Sequence, residues 1–251
     1  MKYFYFSKAV VPNAFTALNA VCGFLSIVFA GQHDFKTSAI LIFAAALFDL
    51  LDGIIARLLN TSSEFGVQLD SLSDVISFGA APAFLIYESY MVQFGIWGVI
   101  VSSFLLICGA FRLARYNIQV EDLKNKKDFK GLPIPINAVS IAALVITFHQ
   151  NGSFIKPYAY FLIPFILILA VLMVSRIRYD SFTKISKSKI KARLIILIFL
   201  IAAIVLVFIT DGSALFFIFI SYILIGIFRS IYKMIFPGKN TEQLSINEKT
   251  N

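Results

Sequence analysis

An all-α fold is expected: a polytopic integral membrane helical bundle of about eight transmembrane helices, with both termini cytoplasmic. Three features of the chain lead there. Of 251 residues, 59% are hydrophobic and only 14% charged, and the mean hydropathy of +0.85 exceeds that of ordinary soluble proteins. The apolar runs approach the roughly 20 residues that carry a helix across a bilayer. The basic residues also fall on one set of alternating loops. There is no signal peptide with a small-residue cleavage site, so the first apolar run is expected to be retained.

Met1 to Val11 is aromatic with two lysines and reads as an interfacial lead-in along the headgroups. Pro12 suits a helix first turn, and a first span is expected over Asn13–Ala30. Further spans are expected at Thr37–Leu59, Leu69–Met91, Gly95–Asn117, Pro133–Gln150, Tyr158–Ser175, Leu194–Thr210 and Ala214–Phe236. Turn signals separate them at Gly31, Asn60–Ser63, Asn151–Gly152 and Asp211–Gly212. Residues 1–236 are expected to form one catalytic membrane domain, and 237–251 a polar cytoplasmic tail. No internal repeat is evident. The two cysteines, Cys22 and Cys108, lie in apolar spans and read as core filling, not as a disulfide or metal pair.

With the N-terminus cytoplasmic, 20 of the 22 lysines and arginines fall on the cytoplasmic side and only Lys36 and Lys156 on the other. That is the positive-inside bias of an even number of spans. It also explains the net charge of +8 as topology, so nucleic acid is not expected as a partner. The basic loops Gln119–Leu132 and Arg176–Arg193 face anionic lipid in this arrangement. The location that follows is the cytoplasmic (inner) membrane.

The chemistry concentrates in Asp49 to Asp74, DLLDGIIARLLNTSSEFGVQLDSLSD. Carboxylates in apolar spans are costly and face a bundle interior or a wet cavity. Asp49 and Asp52 stand at i, i+3 and Asp70 and Asp74 at i, i+4, so each pair shares a helix face. A hairpin turning near Thr61 and Ser62 puts Asp49 level with Asp74 and Asp52 level with Asp70. Four acids without His or Cys suit magnesium or manganese and not zinc. A lone acidic pair serves equally as a proton relay or salt-bridge partner. Four acids at one depth with a single nearby cation repel one another, which favours a metal site. Two such ions are a recurrent device for phosphoryl-type displacement. Gly53 and Gly66 leave room for a ligand beside the backbone. Arg57 is placed either to meet a phosphate or an acid, or to snorkel at the span end.

Asp49-x2-Asp52-Gly53-x2-Ala56-Arg57-x8-Gly66-x3-Asp70-x3-Asp74 resembles the full signature of the CDP-alcohol phosphotransferases. PNAFTALNAVCGF at Pro12–Phe24, SDVISFGAAPA at Ser73–Ala83, FRLARYN at Phe111–Asn117 and FKGLPIP at Phe129–Pro135 resemble the serine-using, phosphatidylserine synthase branch of that family. The resemblance implies transfer of a phosphatidyl group from CDP-diacylglycerol to L-serine, with release of CMP, by a homodimer. It also implies that Asp49, Asp52, Asp70 and Asp74 hold two divalent ions, Mg2+ or Mn2+, on the diphosphate, and that Asp74 is the general base. Gly53, Ala56 and Gly66 would then make room for the cytidine and Arg57 would hold the nucleotide or its phosphates.

Asn13 and Thr16, i, i+3 at the cytoplasmic end of the first span, either reach the nucleotide or cap and bridge helices. A serine acceptor carries a carboxylate, and Arg112 and Arg115, again i, i+3, form a fork suited to it, with Lys130 a third candidate. Topology and headgroup contact account for the same arginines equally simply. An acceptor of the glycerol 3-phosphate or inositol type is the alternative within the family, and a cation transporter the alternative outside it.

Overall fold

The computed structural model describes residues 10–59, 61, 63–121, 131–150, 152–155, 158–175, 177 and 213–235. Within them lie seven helices: α1 (Val10–Gly31), α2 (Phe35–Leu59), α3 (Glu64–Ser89), α4 (Ile96–Glu121), α5 (Ile134–Phe148), α6 (Leu162–Val174) and α7 (Ser213–Ile235). Five of them, α1 to α4 and α7, are long and apolar enough to cross a membrane, while α5 and α6 are shorter apolar helices. The expected span at Leu194–Thr210, the loop at Arg176–Arg193 apart from Ile177, the lead-in up to Ala9 and the polar tail lie outside the described residues.

α1 carries Pro12 in its first turn, where a missing N–H costs nothing. It stops at Gly31, and His33 takes the left-handed conformation at φ 60. Asp34 then caps α2, its Oδ1 accepting the Thr37 N–H at 3.1 Å. The two helices form a tight antiparallel hairpin because small residues line the seam. Ser26 and Ser38 share a hydrogen bond of 2.9 Å, and Ala30, Ala39 and Ala45 are fully buried.

α3 begins five residues before the expected Leu69. The reason is local: Ser63 takes extended dihedrals and accepts the Gly66 N–H at 3.0 Å, a side-chain N-cap, with Glu64 in the first turn. The helix is α over Glu64–Asp74, π over Val75–Ala80 and α again over Ala81–Ser89. Pro82 explains the π-turn. Its ring would press on the Phe78 carbonyl in a regular helix, and the Ala81 N–H donates instead to Ile76 O. The inserted turn lets the N-terminal half of α3 present its acids independently of the half beyond Pro82.

α4 runs to Glu121, four residues past the expected end. α5 stops at Phe148, not at Gln150: His149–Gln150 pairs antiparallel with Ser153–Phe154 (β1 and β2) around Gly152, whose φ is +79. At the other end of α5, Gly131 at φ +93 donates its N–H to Ile177 O at 2.7 Å and Leu132 donates to Leu172 O at 3.0 Å. These bonds pin the start of α5 to the end of α6. Phe78, Ile42, Leu85, Leu105, Ile141 and Leu169 fill the core, whereas Phe24, Trp97, Phe111 and Phe228 are 60–70% exposed, as lipid-facing side chains are.

Candidate active site

α2 ends at Leu59 and α3 starts at Glu64, so Asp52 and Asp70 each sit about 10 Å inside their helix from the turn, at a rise of ~1.5 Å per residue. The hairpin brings three of the four acids, Asp49, Asp70 and Asp74, into one group. Asp49, Asp70 and Asp74 each offer a carboxylate oxygen, and these atoms lie within 4.8 Å of one another. Asp52 stands beside them, in electrostatic reach of all three. Asp52 and Asp74 are buried, at 6% and 7% exposure.

α1 forms the third wall. Thr16 Oγ1 donates to Asp52 Oδ2 at 2.7 Å, a shorter contact than its 3.2 Å approach to the Pro12 carbonyl. One turn deeper, Asn19 Nδ2 donates to Asp74 Oδ1 at 3.3 Å. Asn19 is fully buried, and its backbone carbonyl accepts the Ser77 hydroxyl at 2.9 Å. This close approach depends on Gly23, where a Cβ would collide with the Ser77 backbone. Asn13 lies against Gly66, its Oδ1 3.2 Å from where a Cβ would stand.

Asn19 was not among the residues singled out from the chain. Its signal is the continuation of the Asn13–Thr16 spacing by another three residues, which keeps it on the same helix face.

The donor set fits a hard divalent cation. All the ligand atoms are carboxylate oxygens, and Asp70 Oδ1 is buried with no hydrogen-bond partner. A buried, orphaned carboxylate oxygen among other acids is what a metal would satisfy.

The remaining expected residues separate. Arg57 is exposed and donates Nε–H to the Gly53 carbonyl at 2.7 Å, folding back over the open space at Gly53. A Cβ at Gly53 would meet only Arg57 Nη2, at an ordinary 3.6 Å. Ala56 is half-buried on the same helix. Arg112 is half-buried, its Nε has no hydrogen-bond partner, and it lies in electrostatic reach of Asp74. Arg115 turns away to α6, donating to Val174 O at 3.1 Å. Lys130 lies outside the described residues. Asn117 closes the α3–α4 seam by donating to Ser71 Oγ at 2.9 Å.

A family model described as CDP-alcohol phosphatidyltransferase matches residues 9–175, which include Asp49, Asp52, Asp70, Asp74, Arg57, Arg112 and Arg115. The chain is 38% identical over 224 residues to a Helicobacter pylori protein named CDP-diacylglycerol–serine O-phosphatidyltransferase, covering 89% of this chain and 92% of that one. It is 39% identical over 175 residues to an archaetidylserine synthase of Methanothermobacter thermautotrophicus, covering 69% and 70%. A Methanocaldococcus jannaschii protein, also named CDP-diacylglycerol–serine O-phosphatidyltransferase, is 38% identical over 172 residues, covering 68% and 74%.

Proposed function

The chain belongs to the CDP-alcohol phosphatidyltransferase family, and from that membership and the aspartate layer we propose that it transfers the phosphatidyl group of CDP-diacylglycerol to L-serine, releasing CMP and forming phosphatidylserine. The observation that carries the reaction class is the convergence of Asp49, Asp70 and Asp74 within 4.8 Å, with Asp52 beside them. Acids gathered in one layer support a catalytic cluster over a transport pathway, which needs acids spaced through the membrane depth.

Asp49, Asp52, Asp70 and Asp74 would hold the divalent ions, Mg2+ or Mn2+ and two in number. When bound, such ions supply charge neutralisation on the diphosphate and its leaving oxygen. Asp74, held by Asn19, takes the proton of the serine hydroxyl. The serine oxygen then bonds to the phosphorus that carries the diacylglycerol, the bond from that phosphorus to the bridging oxygen breaks, and CMP leaves with the electron pair. Thr16 and Asn13 line the α1 side of the nucleotide space, and Gly53, Ala56 and Gly66 keep that space free of bulk. Arg57 lies over Gly53, five residues beyond Asp52 on the same helix, and holds the nucleotide phosphates. Arg112 is the carboxylate anchor its reach to Asp74 supports. Arg115 braces α6, and Lys130 is a further basic group for the same carboxylate.

The split of 20 basic residues against 2 supports an inner-membrane protein with this layer opening to the cytoplasm. A homodimer accords with the family resemblance. The test is a panel of acceptors with CDP-diacylglycerol and Mn2+ or Mg2+, read as CMP release. Serine-dependent release is expected; release with glycerol 3-phosphate or inositol and none with serine would assign the chain to another branch.

A further inference from the structure

Asp70 and Asp74 ride on the least packed stretch of α3. Of Glu64–Asp74 only Ser73 and Asp74 are buried, while Phe65, Val67 and Leu72 are exposed. These turns pack against α1, whereas α4 packs on the π-turn and on Ala81–Ser89. The π-turn after Asp74 also separates them from the well-buried half of the helix. Apolar packing therefore grips the acid-bearing turns from the α1 side, and their rotation about the helix axis is left to polar ties.

Among the described residues, two side-chain hydrogen bonds join these turns to other helices. One is the bond from Asn19 of α1 to Asp74. The other comes from α4: Asn117 Nδ2 donates to Ser71 Oγ at 2.9 Å, and Ser71 donates in turn to the Val67 carbonyl at 3.0 Å. The Ser71 hydroxyl is thus used as both donor and acceptor, which fixes it as an anchor. At about 100° per residue, Ser71 stands roughly 60° round the axis from Asp74 and roughly 100° from Asp70. A tie at Ser71 resists rotation that packing against α1 alone would allow. The tolerance is small. A turn of about 20° moves a carboxylate at a radius of about 5–6 Å through about 2 Å, while metal–oxygen distances hold to about 0.2 Å.

We propose that Asn117 is a positioning residue of the aspartate layer: its hydrogen bond to Ser71 fixes the rotation of the acid-bearing turns of α3, and so the directions of Asp70 and Asp74. The inference rests on the divalent-cation reading above and adds a residue of α4 that acts through Ser71. Loss of either partner loosens the turns without opening the core, which lies beyond Asp74 around Phe78 and Leu85. Cation affinity falls, and the fold persists.

The test uses the full chain in detergent–lipid micelles and compares wild type, N117L, S71A and the double variant. Mn2+ binding is followed without nucleotide or lipid substrate, as loss of the electron paramagnetic signal of the free ion. The Mn2+ midpoint of CMP release and the melting temperature are measured beside it. Each single variant is expected to weaken Mn2+ binding and to raise the midpoint about 3- to 10-fold. The double variant is expected to do no more than the stronger single one, because both remove the same bond. Melting is expected to fall by no more than about 4 °C. Unchanged Mn2+ affinity in both single variants overturns the proposal, even if melting or kcat falls, since that marks a structural seam only. So do effects that multiply in the double variant, which mark two independent contacts. A wild-type chain that releases CMP but binds no Mn2+ overturns the cation reading alone. The cycle is then read on kcat, where a shared loss keeps the role of Asn117 and an unchanged kcat overturns it. A wild-type chain that does neither overturns both.

Discussion

Thr16 Oγ1 donates a 2.7 Å hydrogen bond to Asp52 Oδ2, tying the first helix to a carboxylate of the second. The bond orients Asp52 and occupies one of its oxygens. Groups that orient a metal ligand are worth about 10- to 100-fold in metal affinity or activity. Thr16→Val is therefore expected to raise the Mn2+ concentration for half-maximal activity about tenfold, while Thr16→Ser restores it. A Mn2+ titration of CMP release checks this, and an unchanged midpoint in Thr16→Val would remove Thr16 from the site.

Asn19 makes the corresponding contact on Asp74. Without its Nδ2–H, Asp74 Oδ1 loses its donor in a buried setting. Asn19→Leu is expected to lower kcat about 10-fold or more with KM for CDP-diacylglycerol little altered. Steady-state kinetics with both substrates varied distinguishes this from a loss of lipid binding, which would raise that KM instead.

Asp74 is the proposed general base. Asp74→Asn keeps the side-chain volume and removes the base, so kcat is expected to fall by roughly 10²- to 10⁴-fold. Binding of CDP-diacylglycerol, followed by isothermal titration in Mn2+, is expected to persist at reduced affinity because one ligand is weakened. Substantial turnover in this variant would reassign the base.

Gly23 sets how closely α1 approaches the π-turn of α3. A Cβ there would meet the Ser77 backbone, so Gly23→Ala forces the helices apart. Overpacking of this kind costs about 1–3 kcal/mol. A lower melting temperature is expected together with reduced activity, because Thr16 and Asn19 ride on the same helix. Thermal unfolding in detergent measures the first and CMP release the second.

The acidic layer was legible because two local periods and one turn suffice to define it. Asp49 and Asp52 share a face, Asp70 and Asp74 share a face, and the polar run at Asn60–Ser63 sets the hairpin between them. The helix ends were less so. Ser63 as an N-cap moved the start of α3 to Glu64, and the π-turn before Pro82 reflects a ring–carbonyl conflict that hydropathy does not register. Asn19 is a single neutral polar residue in an apolar run, and only the α1–α3 packing around Gly23 and Ser77 shows what it meets. The separate partners of Arg112 and Arg115 were hidden for a related reason. Their i, i+3 spacing gives a common face, but the end of α6 lies beside one of them and captures Arg115 through Val174 O.

The central claim is that α2 and α3 close around divalent cations that grip the diphosphate of the CDP-lipid. Crystals grown with CDP-diacylglycerol and Mn2+, measured at the manganese absorption edge, test it most directly. The account predicts anomalous peaks bounded by the carboxylates of Asp49, Asp52, Asp70 and Asp74, with phosphate oxygens on their open side. Bound nucleotide with no peak in that layer, or manganese held elsewhere on the chain, would contradict it.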